Sequence, residues 1–205
     1  MFLFAKRFVI LMGFACACTA ILFLIPMSHA GSEPLENCIY NPGKLKPQAS
    51  VLKLKVGDLA PDFTLQDLAG EQIALSSFRE KRNVVISFVP AAWTPVCSQQ
   101  WPGYVISKDL FDKNDSVLLG ITVDNIPTLY AWTKQMGQVW FPVLSDFWPH
   151  GAVAQKYGVL REDGTSERAL FVIDKTGTIR YIDVHDINVT PKLEDLIKEL
   201  EKLPK

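Results

Sequence analysis

The chain has 205 residues, 48% hydrophobic and 21% charged, with 21 Lys and Arg against 22 Asp and Glu for a net charge of −1. A near-neutral balance with no basic patch or basic helix face argues against nucleic acid as a partner. Four cysteines are too few for a disulfide-built fold, so a hydrophobic core has to hold the chain together.

Residues 1–30 read as a signal peptide. Lys6 and Arg7 form a short positive start, Phe8 to Pro26 carries no charge, and Ser28-His29-Ala30 places small residues where a signal peptidase reads. Cleavage near Ala30 is expected, with an uncleaved membrane anchor as the alternative. Either way the rest of the chain is expected to be exported, periplasmic or otherwise extracytoplasmic. Removing Lys6 and Arg7 leaves 19 basic against 22 acidic residues, a charge of about −3. Cys16 and Cys18 fall in the discarded run, which leaves Cys38 and Cys97. Two cysteines cannot form a four-ligand zinc site, and no metal or other cofactor is expected. They could pair with each other in an oxidising compartment.

Residues 31–55, punctuated by Pro34, Pro42, Gly43 and Pro47, read as an extension or linker. The folded domain is expected over 56–205. Phe63-Thr64-Leu65 and Gln72-Ile73-Ala74-Leu75 flank Asp67-Leu68-Ala69-Gly70 and predict a hairpin, after which Ser76 or Ser77 caps a short helical turn. Val84–Val89 is a continuous apolar run, as a strand buried on both faces requires. A helix is expected over 95–111, a strand over 116–123, and a helix over 127–137 with Pro at its start and Gly at its end. Phe141–Leu144 reads as a short extended piece and Ala152–Tyr157 as a short helix stopped by Gly158. Two strands, 169–173 and 178–184, join around Asp174-Lys175-Thr176-Gly177. Leu193, Leu196, Ile197, Leu200 and Leu203 repeat at helical spacing and close the chain. This order implies an α/β fold, a three-layer α/β/α sandwich with a mixed central sheet.

The chemistry concentrates at Pro90-Ala91-Ala92-Trp93-Thr94-Pro95-Val96-Cys97, directly after the buried strand. The turn delivers one cysteine to the first turn of a helix, where free N–H groups and the helix dipole favour negative charge. Thiolate is the reactive form of cysteine, and helix starts after central strands are where α/β sheets place their sites. An inert buried thiol is the bland alternative for Cys97. A dithiol enzyme would carry a second cysteine at position 94. Threonine there argues for a single nucleophile that attacks a small electrophile, against an exported thioredoxin-like thiol–disulfide oxidoreductase or electron-transfer protein as the competing function.

Pro90-x-x-x-Thr94-x-x-Cys97 resembles the active-site motif of the peroxiredoxins. Val56-Gly57-Asp58-Leu59-Ala60-Pro61-Asp62-Phe63-Thr64-Leu65 is similar to the opening of that family's domain, and Arg168–Asp174 to the segment carrying its active-site arginine. Ser145-Asp146-Phe147-Trp148-Pro149-His150-Gly151, running on to Tyr157-Gly158-Val159, resembles the one-cysteine alkyl hydroperoxide reductase E group. The resemblance spans roughly residues 56–185.

It implies a thioredoxin-like fold and a thiol-dependent peroxidase that reduces hydrogen peroxide or organic hydroperoxides. Cys97 would be the peroxidatic cysteine and pass through a sulfenic acid. Arg168 would hold the sulfur anionic and bind the peroxide, although an arginine at a strand edge is more commonly a solvated charge. Thr94 would accept from the peroxide O–H and donate toward sulfur and oxygen, and an N-cap role is compatible with that. The N–H groups of Val96 and Cys97 would add stabilisation, at roughly 3 kcal/mol per donor. Pro90 would shield the sulfur. The family usually places an acid three residues after the cysteine; here Gln100 stands there. Pro102-Gly103 is expected to break the catalytic helix after one or two turns. The implied partners are a peroxide, an external thiol reductant (a thioredoxin-like protein or a small thiol) and a second copy in a homodimer. No cysteine follows Cys97, so an outside thiol regenerates it, or Cys38 acts as a resolving thiol on a mobile extension. His150 and His185 lack the cysteine pair a copper site would need. Trp93, Trp101 and Trp148 either line an apolar rim or pack in the core.

Overall fold

The computed structural model describes residues 34–204; the signal-peptide reading and Cys16 and Cys18 lie outside them. Every residue of β3 (Asn83–Phe88) is buried, as its unbroken apolar run requires. β4 (Ser116–Thr122) pairs with it in parallel, Val84 opposite Val117, and β6 (Arg168–Ile173) antiparallel, Phe88 opposite Ala169. β7 (Ile179–His185) continues the antiparallel side through the turn at Asp174–Gly177. On the other side β5 (Val143–Ser145) runs parallel to β4, and the hairpin of β1 (Thr64–Asp67) and β2 (Gln72–Ala74) completes the edge. The order in the mixed seven-stranded sheet is β2-β1-β5-β4-β3-β6-β7.

The sheet separates two apolar layers. One packs Val85, Leu118, Val143 and Leu170 beneath α1 (Cys97–Val105), α2 (Lys108–Lys113), α3 (Ile126–Gln135) and α5 (Leu193–Glu201). The other packs Ile86, Phe88, Ile121 and Phe171 against α4 (Ala152–Lys156), with Leu52 and Leu54 added from the N-terminal segment. The alternating strand and helix signals therefore lead to the three-layer arrangement. Asn125 caps α3 by accepting from the Thr128 N–H, and Pro127 is the second residue of the helix. The short turn over Leu75–Phe78 is a 3-10 helix without a side-chain cap; the Ser77 hydroxyl donates to Ala74 O instead.

The single helix expected over 95–111 is two helices. Pro102 lies inside α1 without ending it, and the break comes at Ile106 and Ser107, where the Ser107 hydroxyl donates to Gly103 O at 2.8 Å. Proline cannot donate to the carbonyl one turn back, but the helix tolerates this because Trp101 and Tyr104 anchor it on both sides of the defect. Trp101 comes down onto Gly120 of β4. A Cβ at that glycine would sit 2.7 Å from the indole, so only glycine lets α1 approach this closely.

The extension is not free of the domain. Ala49 and Ser50 N–H both donate to Glu167 Oε1 at 2.7 Å, Arg161 donates to Lys46 O, and Ile187 N–H donates to Pro47 O. Among the described residues no helix is long and apolar enough to cross a membrane.

The β6–β7 turn carries a pH-dependent share of the stability. Asp174 accepts from the Thr176 hydroxyl, the Thr176 and Thr178 N–H groups and Arg180 Nε. Burial pulls its pKa upward, but the hydrogen bonds from Thr176, Arg180 and Thr178 outweigh this and hold the carboxyl below the usual range. A depressed folded value contributes stability that is complete above the ordinary aspartate pKa of about 3.9 and is lost as pH falls through the folded one. Urea unfolding of wild type and Asp174→Ala should show a gap that is constant above about pH 5 and closes toward about pH 2. A gap independent of pH over that range would assign the effect to neutral contacts.

Candidate active site

β3 ends at Phe88, and the chain stays buried through Pro90 before turning. Val89 N–H bonds Ile121 O, and Ala92 N–H bonds Asp124 Oδ2 at 2.8 Å, which ties the loop to the end of β4. Trp93 holds a left-handed φ of 60°, a conformation that costs a non-glycine residue about 1 kcal/mol or more. That turn sets the start of α1 on Cys97. Ser98 N–H reaches Thr94 O and Gln100 N–H reaches Val96 O, whereas the N–H groups of Val96 and Cys97 have no hydrogen-bond partner among the described residues. Two free donors and a sulfur thus share the first turn of one helix.

Arg168 opens β6 and is 1% exposed, so the solvated-edge reading does not describe it. Its Nη2 lies 3.4 Å from Cys97 Sγ, and Cys97 is fully buried with a free thiol. Nε and Nη2 donate to Ile187 O at 3.2 and 3.1 Å, and Nη1 donates to Gln100 Oε1 at 2.5 Å. No carboxylate pairs with it among the described residues. A buried cation without an anionic partner is costly. The atom beside it best able to carry negative charge is the Cys97 sulfur.

Gln100 connects this pair to the core. Its Nε2 donates to the Tyr104 hydroxyl at 2.9 Å and approaches Ser87 Oγ at 3.4 Å. Burial pushes the Tyr104 pKa up to about 12, against the hydrogen bonds of Gln100 and Ser87, so Tyr104 stays neutral across the working range. An amide serves here because it must accept from Arg168 and donate to Tyr104 together, which an ionised carboxylate cannot do. Gln100→Leu leaves one guanidinium N–H unpaired and the tyrosine hydroxyl with Ser87 alone. The expected cost is about 1–3 kcal/mol in urea unfolding, with peroxide reduction slowed as the guanidinium loosens. Unchanged stability would mean that water replaces the amide.

The Thr94 hydroxyl donates to Ala91 O at 2.9 Å and makes no cap bond to α1. The expected donation toward sulfur is therefore absent: that proton is committed to the loop, and the oxygen is left as an acceptor. Thr94, Pro90, Val96 and Arg168 border one pocket of about 310 Å³. Its opposite wall, Asn41–Leu45, comes from the extension, and Ile187 and Asn188 complete it. None of these last residues, nor Tyr104, carries a sequence signal; they join the site only through folding. Cys38 is exposed at the end of a 3-10 turn, and Tyr40 N–H bonds Trp93 O at 2.7 Å, which holds that part of the chain beside the active-site loop. Trp101 is core, stacked on Trp132 at 4.8 Å, while Trp148 is 83% exposed beside a different cleft. His150 bonds Gly164 O and His185 pairs with Asp183.

The profile of the AhpC/TSA family matches residues 56–182, which include the cysteine loop, Gln100 and Arg168. The chain belongs to the AhpC/TSA family. Alkyl hydroperoxide reductase E of Mycobacterium tuberculosis is 42% identical over 132 residues, 64% of this chain and 86% of that protein. A chloroplastic 2-cysteine peroxiredoxin of Chattonella marina var. antiqua is 30% identical, covering 74% of this chain and 82% of its own length. Reduced 2-Cys peroxiredoxin of Plasmodium vivax superposes with a TM-score of 0.67 at 25% identity, over 72% of this chain and 81% of that one. The protein is a peroxiredoxin of the alkyl hydroperoxide reductase E type with a thioredoxin-like α/β fold, a thiol-dependent peroxidase. A peroxidase, not a dithiol exchanger, accounts for the threonine at position 94.

Proposed function

We propose that Cys97 of this peroxiredoxin is the peroxidatic nucleophile and that Arg168, Thr94 and the α1 N-terminus organise the peroxide around it. The observation that carries this reading is the buried guanidinium 3.4 Å from the sulfur, whose other N–H partners among the described residues are neutral acceptors. The thiolate attacks the terminal oxygen of ROOH. The S–O bond forms, the O–O bond breaks, and its electron pair leaves on RO⁻, which takes a proton to give ROH. Arg168 and the N–H groups of Val96 and Cys97 meet the negative charge that develops on oxygen. Thr94 Oγ accepts the peroxide O–H, and buried Pro90 limits water at the sulfur. Gln100 positions Arg168.

An external thiol then displaces water from the sulfenic acid to give a mixed disulfide, and a second thiol releases Cys97. The exposed Cys38, held beside the active-site loop, is the intramolecular alternative. The charged start, apolar run and Ser28-His29-Ala30 ending support work outside the cytoplasm. A homodimer is the assembly we expect from the family. Mass spectrometry after one equivalent of peroxide tests the chemistry: one oxygen should appear on Cys97, trapped by a sulfenic-acid reagent, with Cys38 still free. A Cys38–Cys97 disulfide would assign the resolving role to Cys38, and an unmodified Cys97 would overturn the proposal.

A further inference from the structure

The pocket bordered by the cysteine loop and Arg168 has two walls of different origin. The inner wall belongs to the loop and sheet within the family-matched region: Pro90, Thr94, Val96 and Arg168. The outer wall is Asn41–Leu45, which lies ahead of the family-matched region at 56–182. The strap is held at both ends. Tyr40 N–H donates to Trp93 O at 2.7 Å on the active-site loop. At the other end Asn188 makes a reciprocal pair with Leu45: its Oδ1 accepts from Leu45 N–H at 2.8 Å and its Nδ2 donates to Leu45 O at 2.9 Å. Asp186 Oδ1 accepts from the same amide group at 2.7 Å and fixes its orientation. The carbonyl immediately before Asn188, that of Ile187, is the one that receives Arg168 Nε and Nη2. The dipeptide Ile187–Asn188 thus aims the guanidinium with one group and latches the strap with the next. Glu167, the residue before Arg168, bonds Ala49 and Ser50 and secures the segment beyond the strap.

The size of the space is informative. Hydrogen peroxide needs roughly twice the ~30 Å³ share of one water molecule, a small part of a pocket of about 310 Å³. A volume of that order, with Pro42, Leu45, Pro95 and Ile187 among the lining, suits an organic substituent. The strap supplies much of the surface such a substituent would touch, while the peroxide oxygens sit on the inner wall.

We infer that the strap Asn41–Leu45, latched by Asn188, is a substrate-binding wall that determines how this enzyme discriminates organic hydroperoxides from hydrogen peroxide. This rests on the peroxidase reading of Cys97. Asn188 is a positioning residue, and Leu45 contributes apolar contact. Because the contact is to the substituent and not to the reacting oxygens, it is expressed in the ratio of rates for two peroxides.

Stopped-flow tryptophan fluorescence on the full chain, with hydrogen peroxide and cumene hydroperoxide as probes, tests this. Asn188→Ala frees the strap, and Leu45→Trp fills the pocket from its outer side. Each is expected to lower the ratio of second-order rate constants, cumene hydroperoxide over hydrogen peroxide, by about tenfold, the scale of one apolar group lost from a binding pocket. A general loss of folding or of Arg168 geometry would lower both rates together and leave the ratio unchanged. An unchanged ratio in both variants, with wild type active, overturns the inference alone. Absence of Cys97-dependent consumption of either peroxide by wild type overturns the peroxidase reading itself.

Discussion

Cys97→Ser should abolish peroxide reduction, with a fall of more than about 1,000-fold in stopped-flow consumption. The substitution exchanges sulfur for oxygen at a fully buried position and leaves the neighbours in place. The serine hydroxyl can still accept from Arg168, and the core around Trp101 and Tyr104 is untouched. The expected change in unfolding free energy is therefore small, about 1 kcal/mol or less. What disappears is the nucleophile: the neighbour of the Cys97 sulfur is the Arg168 cation and not a base, and serine cannot reach an anionic form at neutral pH without one. The comparison separates the functions. A thiol–disulfide exchanger or a binding module would lose no peroxide turnover, having none. Cys97-independent consumption of peroxide would sink the assignment outright.

Removing the guanidinium should be the second largest effect, and it should run opposite to stability. Arg168 is buried, and its partners among the described residues are the Cys97 sulfur, an amide oxygen and a backbone carbonyl. A charge taken out of water with no carboxylate beside it among the described residues costs several kcal/mol, a burden that its shared hydrogen bonds to sulfur, amide and carbonyl offset only in part. Arg168→Met fills similar space without the charge. It leaves Gln100 Oε1 and Ile187 O short of donors, at about 1–3 kcal/mol each, so the two contributions nearly cancel and the melting temperature should hold or rise. The rate should fall by about 100- to 1,000-fold, the range for losing one preorganised donor at a developing oxyanion. Arg168→Lys keeps a charge but loses the fork that reaches sulfur, amide and carbonyl together, and it should recover only part of the rate. A Met variant within a few-fold of wild type would show that the α1 N–H groups suffice. A Met variant that unfolds would contradict the balance drawn for the buried charge.

Gln100 explains how the site operates without the acid usual at that position. A carboxylate there would pair with Arg168 and share its charge. The amide accepts one N–H, passes its own donor to Tyr104, and leaves the positive charge directed at Cys97. The position differs in chemistry from the family habit but still holds the guanidinium.

Much of this was legible in the residues. The apolar run at 84–89 could only be a strand buried on both faces, because no face of it tolerates water. Asp174-Lys175-Thr176-Gly177 could only be a turn, and the spacing from Leu193 to Leu203 only an amphipathic helix. The cysteine after the strand and the threonine in place of its partner pointed to a single nucleophile, because local chemistry and local pattern are written in consecutive residues; Arg168 entered as a candidate only through the resemblance to the family's motif. The break at Ile106–Ser107 was misplaced, since it is decided by how Trp101 and Tyr104 seat the helix on the sheet and not by Pro102 alone. Tertiary structure alone decided the rest. It brought Arg168 within 3.4 Å of a sulfur 71 residues away and, among the described residues, paired no carboxylate with it. It turned the Thr94 proton into the loop. It folded a segment that reads as a linker over the pocket and latched Leu45 to Asn188 across 143 residues. Such contacts depend on which surfaces are left exposed once the sheet has formed, and no local pattern in the chain encodes that.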